Sequence, residues 1–263
     1  MAQTPLGGEG FSFATPTEFV ELPSRGQFYP EGHPLHDCEV VEIKHMTAKE
    51  EDILTSEALL KNGLALIRLL ESVLINKSIE PESLLIGDKN AILIAVRQTG
   101  FGNIYNTSMN CPACNTLNEK DFSLENKEIK ESVLRDNVEL LESGNFLFHD
   151  TEHDLEIEIK LLRGKDETRI TQSIERLKKL KKDPGSVTTM LQNIIVNVNG
   201  MKEPAAIRQV VNAMPVSLSR RIRNIYEEAM PNINMYADFD CSSCSHVDRL
   251  EVPINLNFFW PEL

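Results

Sequence analysis

No stretch of this sequence comes near the roughly 20 consecutive apolar residues that a membrane-spanning helix requires. The segments around Leu64–Leu70 and Ala91–Val96 come nearest, and both are short and sit in helical patterns. The opening MAQTPLGGEG lacks a basic stretch followed by an apolar one, so no secretory signal is expected. The protein therefore reads as intracellular where it is made. Basic residues are scarce: 27 Lys and Arg stand against 40 Asp and Glu, for a formal net charge of -13. That balance argues against sequence-independent nucleic-acid binding, which needs clustered cations on phosphates. Two basic runs, Arg176–Lys182 and Arg220–Arg223, lie beside acidic residues in helical patterns and read as solvated helix faces. Cysteine is sparse, and five cysteines without a secretory signal do not make a disulfide framework. Catalytic signatures are missing too: there is no G-x-S-x-G, HExxH, P-loop or G-x-G-x-x-G. No catalytic residue and no organic cofactor site is assigned.

What remains is an ordinary globular composition, 41% apolar and 25% charged over 263 residues. The pattern is α+β. Residues 1–18 are rich in Gly, Ser, Thr and Pro and read as an extended or disordered arm that orders on a partner. Residues 19–99 form a strand, turn and helical unit. Within it, Phe19–Pro30 packs aromatics between turn formers and Cys38–His45 reads as a strand. Thr47-Ala48-Lys49-Glu50 is a capping box that opens a helix. A second helix follows through Leu66–Leu74, and Asp88 is expected to cap a third through Ala91–Gln98. A polar helix is expected over Asn126–Leu141, then a hairpin of Phe146–Phe148 with Leu155–Leu162. Further helices are predicted at Asp166–Lys181, Val187–Val196, Pro204–Met214 and Ser217–Met230. Residues 126–230 are thus an inserted, α-rich lobe with one hairpin.

The strongest chemical signal is a pair of pairs. Cys111-Pro112-Ala113-Cys114 and Cys241-Ser242-Ser243-Cys244 each stand between strand-like segments, with Tyr105 and Tyr236 a few residues upstream. Two intervening residues let both thiolates of a turn face one metal, and two such turns complete a tetrahedral sulfur shell suited to zinc. Residues 100–125 and 231–263 would then form one zinc-ribbon-like β-domain, although about 126 residues separate its halves where roughly 15–20 is usual. Two alternatives stay open at this point, unmetallated thiols and redox chemistry. A thioredoxin-like pair would need a strand-to-helix junction, which neither pair has. With four sulfurs the metal would have no free position to activate water. Cys38, between Asp37 and Glu39, reads as structurally neutral. His33 and His36 read as loop histidines, and His149 and His153, around Asp150-Thr151-Glu152, as a solvated turn.

Four features in order resemble the baseplate hub and baseplate-assembly proteins of T-even-type contractile-tailed bacteriophages. They are Leu22–Pro30 (LPSRGQFYP), the T-x-x-E helix start at Thr47, a helical middle, and a C-terminal CxxC strand leading to Phe258-Phe259-Trp260-Pro261. The resemblance implies a non-enzymatic virion or virion-assembly component that binds other tail or baseplate proteins, as a homo- or hetero-oligomer. It would be found in the host cytoplasm during assembly, and the resemblance leaves open whether it is a resident subunit of the tail or an assembly factor. Phe19, Phe28, Tyr29, Phe258, Phe259 and Trp260 would serve either as interface anchors or as core. The competing classes are a zinc-ribbon adaptor in transcription or translation and an enzyme with an unrecognised site. An adaptor would want a basic ribbon tip, whereas Asn110–Asn115 and Asp240–His246 are neutral to acidic.

Overall fold

Alternating Val20, Val41 and Ile43 bury one face of a short antiparallel pair, Thr17–Glu21 (β1) with Val40–Lys44 (β2), Thr17 opposite Lys44. These features belong to a computed structural model that describes residues 15–179, 185–252 and 256–259. Most of the expected N-terminal arm lies outside the described residues, but Thr17 and Glu18 belong to β1, so the strand begins earlier than the sequence suggested. The LPSRGQFYP segment follows as successive turns. Gly26 adopts φ 76°, and a Cβ there would sit 2.2 Å from the backbone nitrogen of Cys38. Only glycine allows the chain to fold back that closely.

Helices Ala48–Thr55 (α1), Glu57–Lys61 (α2), Ala65–Val73 (α3) and Ile86–Phe101 (α4) come next. The capping box at Thr47 forms as expected: the Glu50 carboxylate accepts from the Thr47 N–H at 2.9 Å and from its hydroxyl at 2.6 Å. Asp88 does not cap its helix. It lies inside the first turn of α4 and is fully buried. There it accepts the Ser24 N–H (3.0 Å), the Ser24 hydroxyl (2.6 Å) and the Tyr29 hydroxyl (2.8 Å). Tyr29 in turn accepts the Leu85 N–H at 3.0 Å. The LPSRGQFYP turn is therefore locked to the start of α4 by a satisfied buried network. Burial pushes the Asp88 carboxyl up although all three bonds oppose it, and burial beside Asp88 raises Tyr29 as well.

Hairpin Ile104–Asn110 (β3) and Leu117–Ser123 (β4) follows α4 directly. The polar helix expected over Asn126–Leu141 is not formed. Glu128–Lys130 (β5) and Val138–Leu140 (β6) are strands instead. Tertiary pairing overrides helix propensity here. The Val133 N–H reaches the Glu228 carbonyl at 2.9 Å, and Arg135 forks onto the Glu228 carboxylate with two bonds of 2.6 Å. The predicted hairpin is present as Phe146–Asp150 (β7) and Leu155–Ile159 (β8). Gly164–Lys179 (α5) and Ser186–Ile194 (α6) follow. The helix expected to run through Val196 stops at Ile194, because the β-branched Ile195–Val198 (β9) pairs with β8 instead. The four-stranded sheet runs β6-β7-β8-β9, antiparallel throughout.

Pro204–Ala213 (α7) and Val216–Ala229 (α8) match expectation. Asn232–Asn234 (β10) then pairs with β5, and Tyr236–Asp240 (β11) pairs with Val247–Glu251 (β12). Strand β12 ends at Glu251, and Leu256–Phe259 is a 3-10 turn. Phe258 and Phe259 are buried there, Phe258 meeting Tyr105 edge-on at 4.9 Å. Arg97, fully buried on α4, donates to the carbonyls of Phe258 (2.8 Å), Gly102 (2.9 Å) and Ile104 (2.9 Å), pinning this turn to the helix. Buried apolar residues from Val20 to Phe259 form one contiguous core. Among the described residues no helix is long and apolar enough to cross a membrane.

Candidate metal centre

The two CxxC segments are the loops of two matching hairpins. In the first, Asn110 faces Leu117 across the strand ends; in the second, Asp240 faces Val247. Each loop closes with the same bonds. Cys111 N–H donates to the Thr116 carbonyl (2.9 Å) and Asn115 N–H to the Cys111 carbonyl (2.8 Å). Likewise Cys241 N–H donates to His246 (2.9 Å) and Ser245 N–H to Cys241 (3.0 Å). Asn115 and Ser245 take left-handed backbone at φ 59° and 55°. Residue types with short polar side chains tolerate that turn best. In both loops the first cysteine is buried and the second exposed.

Folding brings all four sulfurs within 4.8 Å of one another. Cys111 Sγ and Cys244 Sγ are 3.6 Å apart, as are Cys114 Sγ and Cys241 Sγ. A tetrahedron of thiolates at about 2.3 Å from zinc has edges of about 3.8 Å, so the donor set fits such an ion. These separations are far from the roughly 2.05 Å of a disulfide, and all five cysteines are free. Both pairs lie in hairpin turns, not at the start of a helix as a thioredoxin-like pair would.

The gathered thiols also perturb one another. The Thr116 side chain and backbone hold the Cys114 thiol down at about 6. At Cys244 a bond from the His246 backbone favours the thiolate, but the sulfurs of Cys114 and Cys111 outweigh it and push the thiol up to about 12. Four thiolates at this spacing would repel one another, and a cation between them would relieve that repulsion.

One residue that sequence reasoning missed ties the loops together. Asn118, on the inward face of β4, accepts the Ser242 N–H (2.9 Å) and hydroxyl (2.8 Å) on its side-chain oxygen. Its amide donates to the Thr116 carbonyl at 2.8 Å and stands 3.7 Å from Cys241 Sγ. Asn118 thus orients both loops at once, as partners behind metal ligands do. The available signal was a polar residue at an inward position of an alternating strand.

The other candidates go elsewhere. His153 Nδ1 is 2.6 Å from the buried Asp150, whose other oxygen meets Arg221 at 3.0 Å, while Arg221 also holds Glu152. That turn is an ion-pair cluster. His33 bonds Ser83 and His36 bonds the Tyr29 carbonyl. Cys38 lies 3.6 Å from the Pro34 carbonyl, away from the other thiols.

The geometry of paired hairpins, the locked LPSRGQFYP turn and the buried C-terminal phenylalanines all lie within one family match. The family model of T4 bacteriophage base plate proteins aligns with residues 15–260. The chain belongs to that family. Comparison with curated proteins and with solved structures gave no match. The match covers both cysteine hairpins, the LPSRGQFYP segment and the C-terminal aromatics as far as residue 260. Four of the aromatics offered as interface or core are core: Phe28, Tyr29, Phe258 and Phe259 are buried. Phe19 is 71% exposed, and Trp260 lies outside the described residues.

Proposed function

We propose that this base plate protein is a structural or assembly component of a contractile phage tail, working by binding other tail proteins, with Cys111, Cys114, Cys241 and Cys244 holding one structural zinc. The observation that carries the reading is the convergence of four sulfurs from two hairpins far apart in sequence, inside a chain that a base plate family matches almost end to end. When bound, zinc would supply a fourfold cross-link and no chemistry, because four thiolates leave no open position. Residues 100–125 and 231–259 would become one stapled β-unit, with 126–230 as the lobe inserted between its halves. The acidic surface and the family favour protein partners over nucleic acid, which also weighs against a transcription or translation adaptor. A place in the host cytoplasm during tail assembly follows from the same reading.

Elemental analysis of protein purified without chelator should give about one zinc per chain, with sulfur-only ligation at roughly 2.3 Å in X-ray absorption. A metal-free protein with all five thiols reactive would end the zinc assignment while leaving family membership intact.

A further inference from the structure

A cavity of about 450 Å³ opens between β9, α7 and the start of α5, well away from the cysteine hairpins. Four cations line it: Lys160 just after β8, Arg169 on α5, Lys202 before α7 and Arg208 on α7. No carboxylate does. In a chain of net charge -13, four converging cations are against the general trend and need a reason.

Their pairing separates them into two groups. Lys160 and Arg169 both hold Asp166 at 2.6 Å, and that carboxylate is buried behind the cavity wall. This fixes the two cations in place while neutralising only one charge. The side chains of Lys202 and Arg208 have no hydrogen-bond or ion-pair partner among the described residues. The local surplus is therefore about three positive charges. Gln192 and Asn193 of α6 also line the cavity, the Asn193 amide donating to the Thr189 carbonyl at 2.7 Å.

The larger cavity beside α1–α3, about 600 Å³, offers a contrast. Three of its four cations are already engaged: Lys44 with Glu50, Arg68 with Glu71, and Lys77 with the Glu71 and Ser72 carbonyls. It also has a carboxylate, Glu71, in its own lining. Carboxylates thus offset two of its four cations, Lys44 and Arg68, whereas a single carboxylate, Asp166, offsets the set at the β9–α7 cavity.

We infer that the β9–α7 cavity binds a compact, multiply charged oxyanion, namely a phosphate or pyrophosphate group of a small ligand, held by Lys202 and Arg208 against the fixed pair Lys160 and Arg169. The volume is that of a small-molecule site. Arginine forks match phosphate oxygens, and lysine supplies a point charge. The apolar part of the wall is aliphatic, Ile195 and Ile207 included, with no aromatic to stack a base. The charged group is therefore what the site recognises. An acidic protein segment spreads one charge per side chain along its backbone, whereas these four cations converge on one cavity and suit charge concentrated on a single group.

The test is titration of the full-length protein with inorganic pyrophosphate at about 0.15 M salt, where weak surface attraction is screened. One saturable site is expected, and Lys202→Gln with Arg208→Gln should weaken it at least tenfold. Both side chains are exposed and unpartnered, so this variant should melt with the wild type and keep its zinc. Any chelation by pyrophosphate at the cysteine hairpins would be equal in the two proteins and so is separated. Lys49→Gln, at the other cavity, should leave the affinity unchanged. The absence of saturable binding would overturn the inference, as would equal binding by wild type and double variant. Binding of a short Glu-rich peptide at this cavity with none of pyrophosphate would replace it with a protein-docking site. None of these outcomes bears on the zinc or on tail assembly.

Discussion

Asn118 and Asp88 show what single residues do here that local patterns do not announce. Each is a buried polar side chain whose partners lie far away in sequence, Ser242 across 124 residues and Ser24 across 64. The cysteines were legible because ligand spacing is a local property of a turn. Their partners in the second layer were not, since a hydrogen bond between distant segments leaves no periodic trace. The capping box was legible for the same reason as the cysteines, and it carries a pH prediction. Burial alone would raise the Glu50 carboxyl, but bonds from Lys44, Ser72 and Thr47 outweigh it and hold it at about 2, against an ordinary 4.5. A carboxylate lowered on folding stabilises the protein above its unfolded value, and that contribution fades as pH falls from about 4.5 towards 2. Glu50→Gln should therefore lose about 1–3 kcal/mol at neutral pH. Its deficit relative to wild type should shrink in acid, read from urea midpoints at pH 7, 4 and 2.5. A deficit constant across that range would deny Glu50 its charged role. At the metal site, Cys241→Ser should remove about 4 kcal/mol or more, whereas Cys38→Ser, with one weak contact to Pro34, should stay near wild type. Equal melting of the two variants would dispose of the staple.

At the scale of elements, periodicity served well where one element satisfied itself. Helices α5, α7 and α8 and the β7–β8 hairpin fall close to where their patterns place them. It failed where a short segment was claimed by a distant one. The stretch 126–141 carries enough charge and leucine to suggest a helix, yet β5 is taken by β10 and β6 by β7. Ile195–Val198 continues an apolar helical pattern but completes the sheet beside β8. The docking of β10 depends on how closely α4 approaches the chain before it. A Cβ on Gly87 would sit 2.1 Å from the Pro231 carbonyl oxygen and 2.9 Å from the Asn232 Cα. Both are backbone atoms and neither can swing aside. Gly87→Ala sets two effects against each other: helix propensity favours alanine by about 1 kcal/mol, and overpacking costs about 1–3 kcal/mol. Contact with backbone should decide it, so the variant should melt lower and show faster amide exchange in β5 and β10. A variant that melts higher than wild type would mean the approach of α4 to Pro231 is not tight in solution.

At the scale of the molecule, a single contiguous core joins the N-terminal turn, the inserted lobe and the C-terminal phenylalanines. Four of the aromatics available for docking are spent inside that core, which leaves Phe19 on β1 as the exposed one among those described and, with the residues preceding it, a contact candidate. The fold sets where that candidate segment can be cut. The Pro16 carbonyl accepts the His45 N–H at 2.9 Å, and Thr17 and Glu18 pair with Lys44 and Ile43. Removing residues 1–18 would therefore damage the β1–β2 pair and confuse a folding defect with a binding defect. Removing residues 2–14 spares every described bond of that pair. If the N-terminal residues order on a tail protein, this shorter truncation should keep the melting temperature and the zinc of the full chain. It should also weaken association by a few kcal/mol or less, since the ordering entropy offsets much of the contact energy. Phe19→Ser in the full chain should act in the same direction, because an exposed aromatic beside the segment is an anchor only if a partner covers it. Recovery of defined tail proteins from infected-cell extract, compared among full-length, truncated and Phe19→Ser forms, is the measurement. Equal recovery by all three would place the contact surface elsewhere on the molecule, and recovery by none would count against tail-protein binding itself.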